Sequence, residues 1–490
     1  MDHSNDMLSP ADKNTESLPA SENPVLEQQE PSSVPPAAPT RQSDSAPIGK
    51  KGKKKKKKWP LLLIIPAVLL IAGAGIFLFR FFNAKEGPAK ANEASALFYE
   101  GLLPAAVYPR SNSPLWLWGY LDTDGKWAIE PQFRAAGNFS KNGLAPVQEE
   151  SNGKYGFIDK SGTYIIPPHY DTALEFDVKG FACVQLNKKW GYIDKNGNQQ
   201  IKFLFDTAEP FTESGLALVS VNGKYGYIDT EGAYVIDPKF EMAFDFLADS
   251  AFVYLYGGWG KINKKGEWII NPQFDLALPC SDGQSIFVMQ DGRFGLCDND
   301  GNYLVEPTYE KMLISGEYGY LPYCKNGLWG YMDRNGEVVI SPKFKEAYPF
   351  TDAGLALVRD IKSNNYGYID QYGEWVMNPK YKEASSFSNG VAKIYLNDLG
   401  HYDYINKDGK ILLALDKTRK AESLYSQDGY VIASKKVAND RTLYAIINSE
   451  GDILCDNLAA VGDTQSLSLL PLEDIISFLL ELIQEQNQQP

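Results

Sequence analysis

Histidine is nearly absent: His3, His169 and His401 are the three in 490 residues. No GxSxG, HExxH or Walker loop occurs either, which removes the common nucleophilic, zinc-dependent and nucleotide-hydrolysing designs, since each needs particular side chains at a fixed spacing. Cysteine is sparse and odd in number. Cys183, Cys280, Cys297, Cys324 and Cys455 form no CxxC pair, so they read as small buried hydrophobes with free thiols, not as a disulfide or metal framework. Positive charge is short as well: the net charge is −14, and residues 83–490 hold 37 basic against 54 acidic residues. A surface of that sign repels phosphate backbones and argues against a nucleic-acid partner.

Long apolar runs are confined to one. Leu61 to Phe79 is nineteen residues without a charge, and at ~1.5 Å per residue a helix of that length nearly crosses the ~30 Å hydrocarbon layer. Trp59, Phe81 and Phe82 stand at its ends as interfacial aromatics do. Eight lysines, Lys50, Lys51 and Lys53 to Lys58, precede it, and such clusters stay on the cytoplasmic side. The expectation is a single-pass cell-membrane protein with its N-terminus inside. Residues 1–58 form a polar, disordered cytoplasmic tail, 59–82 the membrane span and 83–114 a linker. Everything that follows is extracytoplasmic.

What is abundant is aromatic residues and glycine. Tyr at 29, Phe at 24 and Gly at 42 favour strands punctuated by turns. An aromatic-Gly pair opens a YID-like strand that ends in a glycine turn: WGYLDTDG from Trp118, YGFIDKSG from Tyr155, WGYIDKNG from Trp190, YGYIDTEG from Tyr225, WGKINKKG from Trp259, FGLCDNDG from Phe294, WGYMDRNG from Trp329 and YGYIDQYG from Tyr366. The pair glycines, Gly119, Gly156, Gly191, Gly226, Gly260, Gly295, Gly330 and Gly367, stand 34 to 37 residues apart, and degenerate copies follow from Asp403 and Tyr444. Twelve residues past most of these glycines stands a proline such as Pro238, and twenty past most of them a phenylalanine such as Phe246.

Each unit reads as a three-stranded antiparallel meander. Asn-Gly at 152–153, 222–223 and 326–327 suits a two-residue hairpin that needs positive φ. DKNG-type turns close the next hairpin, and the third strand stops at the proline. A lone sheet of this size buries neither face, so units must stack, with the pair aromatic and the offset phenylalanine filling the joints. The expected class is all-β: a tandem array of about ten such repeats over 115–456, either an open superhelix or propeller-like. Ten three-stranded units are many for a closed ring, which tilts the expectation to the open form. PLEDIISFLLELIQEQ from Pro471 places Leu472, Ile475, Ile476, Leu479, Leu480 and Ile483 on one helical face, so 457–490 is read as a helix and tail that caps the array's end.

The pattern resembles the bacterial WG-repeat family, whose motif is an aromatic-Gly-aromatic-Ile-Asp strand, a glycine turn and a Pro-x-aromatic step. Departures lie at Lys261 and Asn263 and at Leu296 and Cys297. The resemblance implies an all-β repeat module; it implies no reaction, cofactor or catalytic residue.

Three chemistries are open to the residues themselves. Asp122, Asp124 and Gly125, or Asp298, Asp300 and Gly301, resemble the start of a calcium loop, but the distal glutamate is missing and turn formation explains them. Acidic residues recur with the repeat, as solvated hairpin ends do, and not as the carboxylate pair a glycosidase requires. Two residues past the hairpin glycine stands Trp127, Tyr164, Tyr234, Trp268, Tyr303 or Trp375, a column that either fills the joints or, exposed, stacks on sugar rings or an extended peptide. The expected function is therefore non-enzymatic: an ectodomain that binds protein or cell-wall glycan, with no catalytic or metal site and no cofactor. The rival is an envelope-polymer hydrolase with an unrecognised carboxylate site.

Overall fold

The structure, a computed structural model, describes residues 97–109, 115–280, 283–314, 316, 318–396, 401–423, 426–437 and 441–462. The expected cytoplasmic tail, membrane span and C-terminal helix lie outside them. Among the described residues no helix is long and apolar enough to cross a membrane.

The described chain forms ten antiparallel sheets of four strands each, numbered here as blades 1 to 10 in chain order. Blade 4 shows the type. Its strands are Thr207–Ala208, Ala217–Val221, Lys224–Ile228 and Tyr234–Phe240, paired in that order. The second and third are joined by Asn222 and Gly223, both at positive φ, 53° and 71°. Asn326 and Gly327 repeat this in blade 7. At 152–153 the sequence misleads: only Gly153 has positive φ, and the Gly153 amide reaches back to the Glu149 carbonyl in a longer loop.

Three expectations are corrected. The unit has four strands, not three, because a two-residue strand such as Thr207–Ala208 pairs with the next hairpin; two residues leave no periodic pattern to read. The proline does not end its strand. Tyr225 pairs with Phe240 and Tyr227 with Ile236, so Gly226 alone faces Asp237, Pro238 and Lys239. Pro238 thus sits in a bulge where no ladder N–H is required. A Cβ on Gly226 would lie 2.5 Å from the Ile236 carbonyl oxygen and 2.6 Å from the Pro238 nitrogen, so the pair glycine and the distant proline are two halves of one close approach.

The third correction is closure. Strand Leu102–Val107, inside the stretch read as linker, is the second strand of blade 1. The first-strand place beside it is taken by Ala460–Val461 from the other end of the chain, with Ala105 opposite Val461 and Ala106 opposite Ala460. The hydrophobic cores say the same. Each lies between two neighbouring blades, for example Tyr227, Ile236 and Phe240 of blade 4 against Phe246, Val253 and Ile262 of blade 5. There are ten, and the tenth joins Ile432, Ile446 and Leu458 of blade 10 to Leu103, Ala105 and Leu121 of blade 1. An open array of ten would have one joint fewer. The blades therefore close into a β-propeller, and closure removes the array end that a capping helix would cover.

Candidate binding surface

The aromatic-Gly column splits by depth. Trp259 and Phe294 are buried, whereas Trp118, Tyr155, Trp190, Tyr225, Trp329 and Tyr366 are half-buried. The fully buried position is the next one on the same face: Tyr120, Tyr192, Tyr227, Tyr331, Tyr368 and Tyr404 are all 0% exposed. Each ring lies in a joint, as Tyr227 lies 4.7 Å from Phe246, and each hydroxyl donates to a carbonyl on the following blade. Tyr227 donates to Phe244 at 2.6 Å, Tyr192 to Glu209 at 2.8 Å and Tyr331 to Tyr348 at 2.7 Å. Burial, with the Asp245 carboxylate adding to it, pushes the Tyr227 phenol well above its ordinary value, so it remains a donor. This tie was missed by the sequence reading; its signal was the recurrent tyrosine immediately after the pair glycine. In blade 5 Lys261 takes that place and donates to Asn299 Oδ1 at 2.7 Å instead.

The acidic residues of the turns are occupied. Asp122 Oδ1 accepts from the amides of Asp124 and Lys126, and Asp298 Oδ1 from those of Asp300 and Asn302. The same two-amide turn recurs on Asp159, Asp194, Asp229, Asn263, Asp333, Asp370, Asn406 and Asn448. An asparagine serves as well as an aspartate, which fits capping and not cation binding. Hydrogen bonds from the Asn302 side chain and amide hold the Asp298 carboxyl below its usual range. Among the described residues no group of three His, Cys, Asp or Glu is arranged to hold a metal. His401 Nε2 lies 3.0 Å from the buried Asp403, which stands in a pair-glycine position, and His169 packs edge-on against its neighbour Tyr170. The five cysteines are free.

At the opposite end of the blades, ion pairs tie a hairpin cation to the acid between blades. Lys154 pairs with Asp171, Lys189 with Asp206 at 2.5 Å, Lys224 with Glu241 at 3.6 Å and Arg293 with Glu310 at 3.2 Å. The Asn222 amide of the next blade also donates to Asp206, so this rim is largely self-neutralised.

The second aromatic column, at the first residue of the fourth strand, is placed between the two readings. Tyr164, Tyr234, Trp268, Tyr303 and Trp375 each stand edge-on to an aromatic of the preceding blade, Phe133, Phe205, Phe240, Phe274 and Phe344, with ring centres 5.8 to 6.4 Å apart. Trp127 packs against the core of the closing joint between blades 10 and 1. The rings thus seal the joints while remaining partly open: Tyr234 is 44% and Tyr303 36% exposed.

The model of the WG containing repeat matches eight tracts, 118–155, 155–190, 190–225, 225–257, 259–293, 294–329, 329–360 and 366–399. Tract 190–225 takes in the last two strands of blade 3 and the first two of blade 4, so the sequence repeat is staggered against the blade. None of the curated proteins matches the chain. Solved structures similar to it include the eukaryotic initiation factor, TM-score 0.40 at 12% identity, covering 74% of this chain and 97% of that one. Dihydro-heme d1 dehydrogenase NirN gives 0.33 at 11%, covering 75% and 74%, and AztD from Citrobacter koseri 0.25 at 10%, covering 72% and 93%. Scores this low carry no inference about function.

Proposed function

The chain belongs to the WG containing repeat family, and from that premise we propose that it is a non-enzymatic, single-pass membrane protein whose propeller stands outside the cell and binds cell-wall glycan. The membrane anchor rests on the uncharged run Leu61 to Phe79 and the lysines before it. The binding role rests on one observation: a column of partly open aromatic rings recurs around the ring of blades, most exposed at Tyr234 and Tyr303. Flat rings at a repeated position suit the apolar faces of sugars in an extended polymer. The turn carboxylates accept hydrogen bonds from backbone amides, which supports a capping role for them over an acid–base one.

The test uses the ectodomain 88–490 and a Tyr234→Ala/Tyr303→Ala variant. Both rings are more exposed than their counterparts, so the variant should melt within a few degrees of the parent. Its retention on purified cell wall should fall, each lost stack weakening binding by ~0.5 to 1.5 kcal/mol. Retention equal to the parent's would sink the glycan reading. Retention of a protein in place of wall polymer would move the function to protein binding.

A further inference from the structure

In the turn between the third and fourth strands, the residue before the glycine is polar in every blade but one, as Asn196, Glu231 and Asn335 are. Solvated hairpin tips favour such residues. Blade 8 has Tyr372 there, 75% exposed, although its turn closes like the others, Asp370 Oδ1 accepting from the Tyr372 and Glu374 amides. The loop between the first and second strands of blade 7 carries a second exposed ring, Tyr318, at 47%.

Both rings stand on one rim, at the joint of blades 7 and 8. In a four-stranded antiparallel sheet the first connection and the third leave from the same end. Tyr318 leans from blade 7 onto blade 8: its ring centre lies 6.1 Å from that of Phe350, and a Cβ on Gly354, in the corresponding loop of blade 8, would lie 2.9 Å from its hydroxyl oxygen. The Tyr372 hairpin leans the other way, a Cβ on Gly373 coming within 3.0 Å of Ile340 of blade 7. Along blade 8 that loop and that hairpin are centred two strand spacings apart, ~10 Å. Trp375 of the aromatic column follows in the same hairpin, edge-on to Phe344 of blade 7.

We propose that Tyr318, Tyr372 and Trp375 form a row that seats the sugar rings of a cell-wall glycan across the joint of blades 7 and 8; this rests on the glycan-binding reading above and locates its site. The backbone favours sugar over peptide. An extended peptide adds to an open strand edge, whereas the amides of these turns are already bonded, Gly319 to Gly316, Gly354 to Thr351 and Gly373 to Asp370. What remains toward solvent is ring surface, which suits the apolar faces of sugars. The exposed side chains of Asn335 and Asp352 lie on the same rim, and Arg334 Nη2 stands 3.5 Å from where a Cβ on Gly319 would be, so hydrogen-bonding groups for sugar hydroxyls flank the rings.

The experiment adds purified peptidoglycan to the full chain. Tyrosine iodination, read peptide by peptide, should fall at Tyr318 and Tyr372 and stay unchanged at Tyr256, which is 87% exposed in a hairpin of the opposite rim. Tyr372→Ala should weaken co-sedimentation about threefold to tenfold, Tyr372→Trp should restore it, and Tyr256→Ala should leave it unchanged. Glycan strands stripped of their peptides should compete. A parent that does not sediment with peptidoglycan would end the glycan reading and this site with it. A parent that sediments while Tyr372→Ala binds as tightly, or while Tyr256 is protected in place of Tyr372, overturns the site and leaves the reading standing. Competition by the free peptides alone would overturn the site in favour of a peptide partner.

Discussion

Tyr225 and Tyr227 lie on the same face of one strand, yet the first is half-buried and the second wholly buried. Period-two alternation gives the face of a strand residue and not its depth in the joint. For that reason the sequence pointed to the pair aromatics as filler and passed over the tyrosine behind them, which carries both the deepest ring and the bond to the next blade. The pair glycine was legible as a fixed point, but its cause, a close approach to a bulge ten to twelve residues on, appears only with the register. Tyr227→Phe keeps the ring against Phe246 and deletes the donor to the Phe244 carbonyl. It should cost ~1 to 3 kcal/mol in denaturant melting, because a buried acceptor is left unmet. Blade 2 has phenylalanine there, 4.9 Å from Phe176, so the reverse change, Phe157→Tyr, should be neutral or stabilising. A costless Tyr227→Phe would show that the tie contributes nothing.

At the scale of a blade, the departures from the repeat are met by other chemistry. Blades 9 and 10, read only as degenerate fragments, complete the ring all the same, and their joint holds an ionic latch. Arg419 donates to Asp416 at 3.0 Å and to Asp456 at 2.8 Å, and Lys435 reaches Asp456 at 3.0 Å. Burial alone would raise the Asp456 carboxyl, but the hydrogen bonds from Arg419 and Lys435 outweigh it and hold the group at about 2. A carboxyl depressed in the folded state adds stability that is fully present above its unfolded value of ~3.9 and is lost as pH falls toward 2. Asp456→Asn should therefore destabilise the propeller at pH 7 and narrow the gap to the parent as pH falls from 4 to 2, measured by melting temperature across that range. A gap constant with pH would mean that packing, not charge, is what Asp456 supplies. No sequence spacing announced this latch, since Asp416, Arg419, Lys435 and Asp456 belong to no repeated position.

Closure is a property of the whole molecule, and the stagger between repeat and blade is what compels it. Because the described chain enters blade 1 at its second strand, the first-strand place stays vacant until Ala460–Val461 arrives. The entry is clamped as well, the amides of Leu97 and Phe98 donating to the Asp428 carboxylate of blade 10 at 2.9 to 3.0 Å. The hairpin of blade 1 also packs on blade 10, where a Cβ at Gly125 would come within 2.5 Å of the Leu454 carbonyl oxygen. Counting strands per repeat suggested an open array because that count omitted the two-residue strand on which closure depends. Val461 is 0% exposed in the closing core, so Val461→Asp sets an unpaired charge there, a change that burial makes untenable. If the two-residue ladder holds the ring shut, this variant should lose amide protection in Leu102–Val107 first. Strands of blade 5, across the array, should keep theirs, and the radius of gyration should rise. Uniform loss of protection in all blades would instead make the ring one cooperative unit with no separable closing joint. Protection unchanged in blade 1 would mean that its other contacts, the Asp428 clamp and the Gly125 hairpin, close the ring without the strand.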